Sequence, residues 1–253
     1  MLYTKHYLTG RDIDLSQYNL GIVRQIKVDE FMNEYDYDLI DFVKPFYLEQ
    51  NLDLNEEIKE NQIHFTYFYL LSREDSKIFD ELMKALIFLY ELSEERDKEG
   101  NLKDLTMCQV DNKLGLLIKK NDNPIAFIDD SNFNLLCQVV LEMCHFDKPK
   151  LEPQPKGDPD KVELMKRRRA EYEKKHGNKN QILFEELVRE VMYIRKITYE
   201  DIKDWTIWQL KDVYLVEMLH DSSEKSYLLA TNSNASVDLK KVKDWKNETK
   251  LAR

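Results

Sequence analysis

Prolines at 149, 153, 155 and 159, with Gly157 among them, interrupt this chain so densely that no helix or strand can run through its middle. The interruption opens at Asp147-Lys148-Pro149 and leads into a charged run, Lys161-Val162-Glu163-Leu164-Met165-Lys166-Arg167-Arg168-Arg169-Ala170-Glu171-Tyr172-Glu173-Lys174-Lys175. It divides 253 residues into an acidic, aromatic-rich front part over 1–147, a Pro-rich and basic join over 148–179, and a short helical back part over 180–253. Between Lys148 and Asn180 eleven Lys and Arg stand against six acids, a local excess of five positive charges in a chain of formal charge −10. The remainder therefore carries about −15, which repels a phosphate backbone.

The front part changes texture along its length. Leu20-Gly21-Ile22-Val23-Arg24-Gln25-Ile26 is short and β-branched, and apolar residues at 28, 31, 32, 35, 39, 42 and 43 then trace one amphipathic helix that stops at Lys44-Pro45. Ser72-Arg73-Glu74-Asp75 reads as the start of a second helix, with apolar residues at 78, 79, 82, 86, 89 and 90. The run Ile63 to Leu71 is apolar nearly throughout, and its setting among helices favours helix. From Leu105 three short apolar runs, 105–110, 114–118 and 125–128, are separated by Asp111-Asn112-Lys113 and Asn121-Asp122-Asn123-Pro124, the pattern of an antiparallel meander. Asp130 or Ser131 then caps a helix with apolar positions at 133, 136, 137, 140, 141 and 144.

In the back part Asp158-Pro159 fits an N-cap and first helical position, so 159–176 reads as an exposed basic helical arm ending at His176-Gly177-Asn178. Ile182 to Tyr193 forms a patterned helix, and Thr198-Tyr199-Glu200-Asp201 starts a short one. Thr206 with Gln209 makes a capping box for a third helix, and Val237 to Glu248, carrying Trp245, supplies a last one. The expected fold class is mainly α within α+β: a helical N-terminal domain with a small antiparallel sheet, a charged helical linker and a small C-terminal helical bundle.

Catalytic chemistry finds no foothold in this pattern. The glycines at 21, 100, 115, 157 and 177 are isolated singles, unlike a phosphate-cradling loop. His6, His64, His145, His176 and His220 are scattered, without the i, i+4 pair that turns two imidazoles toward zinc. Cys144-His145 is a poor dyad, because adjacent helical residues diverge by about 100°. Cys108, Cys137 and Cys144 fit no metal or redox spacing and read as reduced core residues of a cytosolic protein. Acidic clusters such as Asp36, Asp38 and Asp41 read as solvated faces and helix caps. The expectation is no catalytic residue, no cofactor, no metal and no enzyme.

The longest apolar stretch, Ala85 to Tyr90, is far short of the roughly 18 residues that cross a bilayer, and the N-terminus lacks a secretory pattern. Neither export nor membrane insertion is expected. Partner contacts are the remaining possibility, and the candidates are Arg167, Arg168 and Arg169 on the arm, with Trp205, Trp208, Tyr214 and Trp245 behind it. The arm reads first as a solvated helix, then as a contact for an acidic protein, and least as a nucleic-acid site, because only Tyr172 offers a stacking surface. Of the neighbours Trp205 and Trp208, at least one belongs in the core.

Several segments together carry a resemblance: Gly21-Ile22-Val23-Arg24-Gln25-Ile26-Lys27-Val28-Asp29-Glu30-Phe31, Ile125-Ala126-Phe127-Ile128-Asp129-Asp130-Ser131-Asn132-Phe133, the charged Pro-rich join, Ile197 to Ile202, Trp205 to Leu210, and Lys240-Lys241-Val242-Lys243-Asp244-Trp245. With them the chain resembles the tail assembly chaperones of tailed phages of Gram-positive bacteria. The resemblance implies a non-enzymatic protein that binds the apolar, helical tape measure protein and recruits tail tube subunits around it. It also implies action in the cytoplasm of the bacterial host, absence from the mature virion, and in many phages a frameshifted short form made of the front domain alone. The front domain would cover the tape measure and the back bundle would meet tube subunits, with self-association left open. Two other classes compete: a virion structural protein such as a baseplate or tail adaptor, which would appear in purified virions, and a regulatory protein whose Lys166 to Arg169 cluster gives salt-sensitive nucleic-acid binding.

Overall fold

The computed structural model describes residues 3–35, 38–46, 65, 69, 76–98, 100, 102–110, 113–146 and 183–231. They form an α+β fold in the order α1 (Thr4–Thr9), β1 (Ile13–Asp14), β2 (Ile22–Val23), α2 (Val28–Glu34), α3 (Leu39–Val43), α4 (Ser76–Tyr90), β3 (Leu105–Val110), β4 (Lys113–Lys120), β5 (Asn123–Ile128), α5 (Phe133–Met143), α6 (Phe184–Arg195), α7 (Tyr199–Ile202) and α8 (Ile207–Thr231). No helix among the described residues is long and apolar enough to cross a membrane.

The expected single helix from Val28 to Val43 is two helices. Tyr35 turns extended, with φ −108° and ψ 114°, and α3 restarts at Asp38, whose carboxylate accepts from Leu39 N at 2.8 Å and from Phe184 N at 2.9 Å. One aspartate thus caps two helices from opposite ends of the chain, and that second donor is what the local pattern could not reveal. The apolar stripe itself holds: Val28, Phe31, Leu39, Phe42 and Val43 are buried. Pro45 ends α3 as expected and is taken into a short 3-10 turn over Lys44–Phe46.

Helix α4 buries Leu82, Ala85, Leu86 and Leu89 along the expected stripe. Of the run 63–71 only Phe65 and Tyr69 are described; both are helical, and Phe65 packs edge-on against Phe133 at 5.4 Å. The meander is present as an antiparallel sheet of order β3-β4-β5. Its second turn places Asn121 and Asp122 at φ 53° and 63°, the left-handed pair that a two-residue hairpin loop demands and that Asn and Asp tolerate.

The cap of α5 differs from the expectation. Asn132, rather than Asp130 or Ser131, stands at the N-cap, with its amide turned to other work: Nδ2 donates to Tyr18 O at 2.9 Å and to Phe127 O at 2.8 Å, while Oδ1 accepts from Asp129 N at 2.9 Å. Asp129 accepts from both the backbone N–H and the hydroxyl of Ser131. This closed loop explains how Asp129 and Asn132 can be buried.

Gly21 is where β2 meets the end of the sheet. It sits at φ +62°, and a Cβ there would lie 2.6 Å from the Ile125 carbonyl oxygen. Gly21→Ala combines left-handed strain with a backbone clash, and we expect it to cost about 2–4 kcal/mol, readable as a lower urea midpoint at constant slope.

The sequence divides at 147–180, but the packing on either side does not. Phe184, Leu187, Val188, Val191, Ile202, Ile207, Trp208 and Leu210 belong to the same buried cluster as Tyr7, Val28, Phe31 and Phe133. Backbone bonds stitch the two together: Val28 N to Trp205 O at 2.8 Å, Asp29 N to Lys203 O at 3.0 Å, and Ile207 N to Ile26 O at 2.9 Å. Phe184 meets Phe31 edge-on at 4.8 Å, and Trp208 stacks on Tyr7 at 5.9 Å. Helices α6 to α8 therefore complete the front core, where an independently packed bundle was expected. The join at 148–179, with the basic arm over 159–176, and the expected helix Val237 to Glu248 lie outside the described residues.

Candidate partner-binding surfaces

The seven candidate residues divide sharply by position. Arg167, Arg168, Arg169 and Trp245 lie outside the described residues. Trp208 is 1% exposed, held between Tyr7 and the His145 ring at 4.7 Å, so it belongs to the core and is withdrawn from the partner-binding set. Trp205 is half-buried, packed against the core while its carbonyl accepts from Val28 N. Tyr214 is half-buried beside Glu190, and burial first and that carboxylate second raise its hydroxyl pKa.

Capping chemistry sets where α7 and α8 begin. Thr198 N and its hydroxyl both donate to Asp201, at 2.8 and 2.7 Å, and Tyr199 reaches across to Asp29 at 2.9 Å. Burial and then that acceptor push the Tyr199 hydroxyl up to about 12. Thr206 N donates to Gln209 Oε1 at 2.9 Å and Gln209 N returns to Thr206 Oγ1 at 3.2 Å, the reciprocal box expected from sequence. Gln209 Nε2 then donates to Leu8 O at 2.9 Å, anchoring the first turn of α8 on α1.

Beyond that anchor α8 changes character. Ile207, Trp208 and Leu210 are buried, whereas Leu215 is 36% and Met218 45% exposed, three residues apart and so on one face. Tyr193 on α6 is 83% exposed. The helices adjoin in this stretch: Arg195 pairs with Glu217 at 2.8 Å, and Tyr214 lies by Glu190. The sequence signal for this surface was the loss of a clean stripe after Val213, where apolar residues occupy every side of the helix.

No family model, curated protein or solved structure matches this chain.

Two hollows lie among the described residues. One of about 430 Å³ holds Arg24, Lys120 and Glu91, with Arg24 on Glu91 at 2.5 Å and Lys120 on the same carboxylate at 3.1 Å. Lys120 first and Arg24 second hold the Glu91 carboxyl below its usual range, so neither cation is offered to an incoming anion. The other, about 760 Å³, runs between α4 and β3. Burial pushes the Cys144 thiol up to about 12, which keeps it protonated and non-nucleophilic at neutral pH. Among the described residues no group of three His, Cys, Asp or Glu side chains could hold a metal ion.

Proposed function

We propose that this protein is a non-enzymatic tail assembly chaperone that binds the tape measure protein and recruits tail tube subunits during tail morphogenesis in the host cytoplasm. The resemblance of the segments from Gly21 to Phe31, Ile125 to Phe133 and Trp205 to Leu210 supports the reading. The observation that carries it is α8, which beyond Leu210 keeps Val213 and Tyr214 against the core while presenting Leu215 and Met218 to solvent, with Tyr193 exposed on the adjoining α6. A helix of 25 residues spans about 37 Å, long enough to lie along another helix for several turns. A tape measure is an apolar helical stripe that aggregates when uncovered, and apolar anchors at i and i+3 on a soluble helix are the means of covering one. The acidic remainder of the surface keeps the complex in solution. Because α6 to α8 finish the front core, the contact is assigned to α8 rather than to separate domains with one partner each.

Co-expression with the tape measure and tube proteins tests this. The chaperone should copurify with both and raise the soluble fraction of the tape measure. The double variant Leu215→Glu with Met218→Glu should weaken tape measure binding about tenfold or more, while exposed positions leave the melting temperature nearly unchanged. Full binding by the double variant, or a tape measure equally soluble alone, sinks the reading.

A further inference from the structure

Where α8 seats in the core it meets a side chain that titrates near neutral pH. His145 stands two residues past the last helical residue of α5, at φ 52°, with its backbone N–H donating to the Glu142 carbonyl at 3.1 Å. Its side chain is 1% exposed. The imidazole lies over Trp208, with ring centroids 4.7 Å apart and planes tilted by 30°, and Nε2 is 3.8 Å from the carboxylate of Asp212, one turn further along α8. Trp208 stacks in turn on Tyr7. The three rings thus join α5, α8 and α1.

Three features of this seat favour the imidazolium over the imidazole. Asp212 is within ion-pair distance and keeps 16% of its side chain in solvent, so the pair is not sealed from water. The indole face attracts a cation laid over it. The negative end of the α5 dipole falls at the turn that carries His145. Burial of the ring opposes them, and Lys211 adds a positive charge, but its ammonium is drawn over the Phe146 ring at 4.0 Å. The other ionisable groups around the stack are Glu142, which accepts from Tyr7 at 3.5 Å and from Gln138 at 3.1 Å, and Cys144, kept as a thiol by burial. Tyr7 is kept neutral as well, since burial first and Glu142 second raise its hydroxyl pKa. Asp212 and Glu142 against Lys211 leave the surroundings net negative.

We propose that His145 is a pH-sensitive clasp on α8, which fastens the end of α5 to Trp208 and Asp212 when protonated and slackens when neutral. The contacts with Asp212 and the indole exist only while α8 is seated, and the dipole only while α5 is folded. The folded chain therefore binds the proton more tightly than the unfolded chain, in which an imidazole titrates near about 6.5. The stability this adds is complete below that pH and is lost as the pH climbs through the higher folded-state midpoint. Within about a unit of neutrality both states are populated, so the hold on α8 follows small changes in pH. The clasp acts at the root of α8 and is independent of what Leu215 and Met218 meet.

Imidazole NMR of the full chain across about pH 5 to 9 tests this, with His145→Gln identifying which signal belongs to His145. The wild-type midpoint should lie at least about half a unit above 6.5. Asp212→Asn should lower it by about half a unit or more, roughly a threefold loss of proton affinity, with an unchanged far-UV spectrum. In thermal melts the lead of wild type over His145→Gln should be greatest near about pH 5.5 and shrink steadily toward about pH 8.5. Only the pH dependence of that difference is read, so a constant cost of the substitution does not enter. If His145→Gln fails to fold, contacts between the imidazole and indole protons identify the signal, and the wild-type and Asp212→Asn midpoints decide. A wild-type midpoint at or below about 6.5, an Asp212→Asn midpoint equal to that of wild type, or a melting difference flat with pH each overturns the proposal.

Discussion

A chain cut after Asp147 should fail to reach a cooperatively folded state. The cut removes Phe184, Val191, Ile202, Ile207, Trp208 and Leu210, all buried, and uncovers Tyr7, Val28 and Phe31. At about 1.5–3 kcal/mol per buried apolar side chain, the loss is roughly 10 kcal/mol or more. Net stabilities of about 5–15 kcal/mol leave little or nothing after that. The same cut unpairs Val28 N, Asp29 N and the Ile26 carbonyl from Trp205, Lys203 and Ile207. The fragment should bind a hydrophobic dye, lack near-UV circular dichroism and melt without a sharp transition. A cooperative melt near that of the full chain would contradict the shared core. A short form stopping at the join, as the family resemblance implies, would have to present the Tyr7 and Phe31 surface to a partner, since it could not close on itself.

Trp208→Ala should be the most damaging single substitution among the aromatic candidates. It empties a site lined by Tyr7 and His145 at the contact of α8 with α1 and α5, and large aromatic truncations of this kind cost about 3–5 kcal/mol. The melting temperature should fall by roughly 10 °C for a domain of this size. Trp208→Phe should cost much less, about 1–2 kcal/mol, because the indole N–H is buried without a hydrogen-bond partner among the described residues and its loss breaks no bond. Trp205→Ala, at a half-buried position, should fall below Trp208→Ala. Equal effects at 205 and 208 would mean that the two indoles share the core evenly, contrary to their burial.

The elements that were legible in the sequence are those whose cause is local. The meander from Leu105 to Ile128 announced itself by short apolar runs between turn residues, and α4 by its spacing from Leu82 to Tyr90. The Thr198 and Thr206 boxes put donor and acceptor three residues apart, so both could be read directly. What escaped has causes far away in the chain. At the break between α2 and α3, Asp38 caps its own helix and also receives Phe184 N, 146 residues on, a donor that no local pattern reveals. Periodicity said that α6 to α8 had an apolar face but not that the face closes the front core, which made a separate bundle the natural expectation. Among the candidate residues, neighbouring tryptophans carry the same local signal, and only packing separates the buried Trp208 from the half-exposed Trp205. Leu215 and Met218 were readable only as part of a stripe that loses its definition along α8.

The bond from Gln209 to the Leu8 carbonyl also sets a clock. It joins residues 201 apart, so the first helix is made long before the residue that anchors it exists. At roughly 5–20 residues per second of synthesis, about 10–40 s separate the two at the ribosome. Throughout that interval the nascent front half carries the apolar surface of Tyr7, Val28 and Phe31 uncovered. Completion of the front core therefore waits on synthesis of the segment through Leu210, and a translational pause or frame change near the join would act as a decision about folding as well as about length.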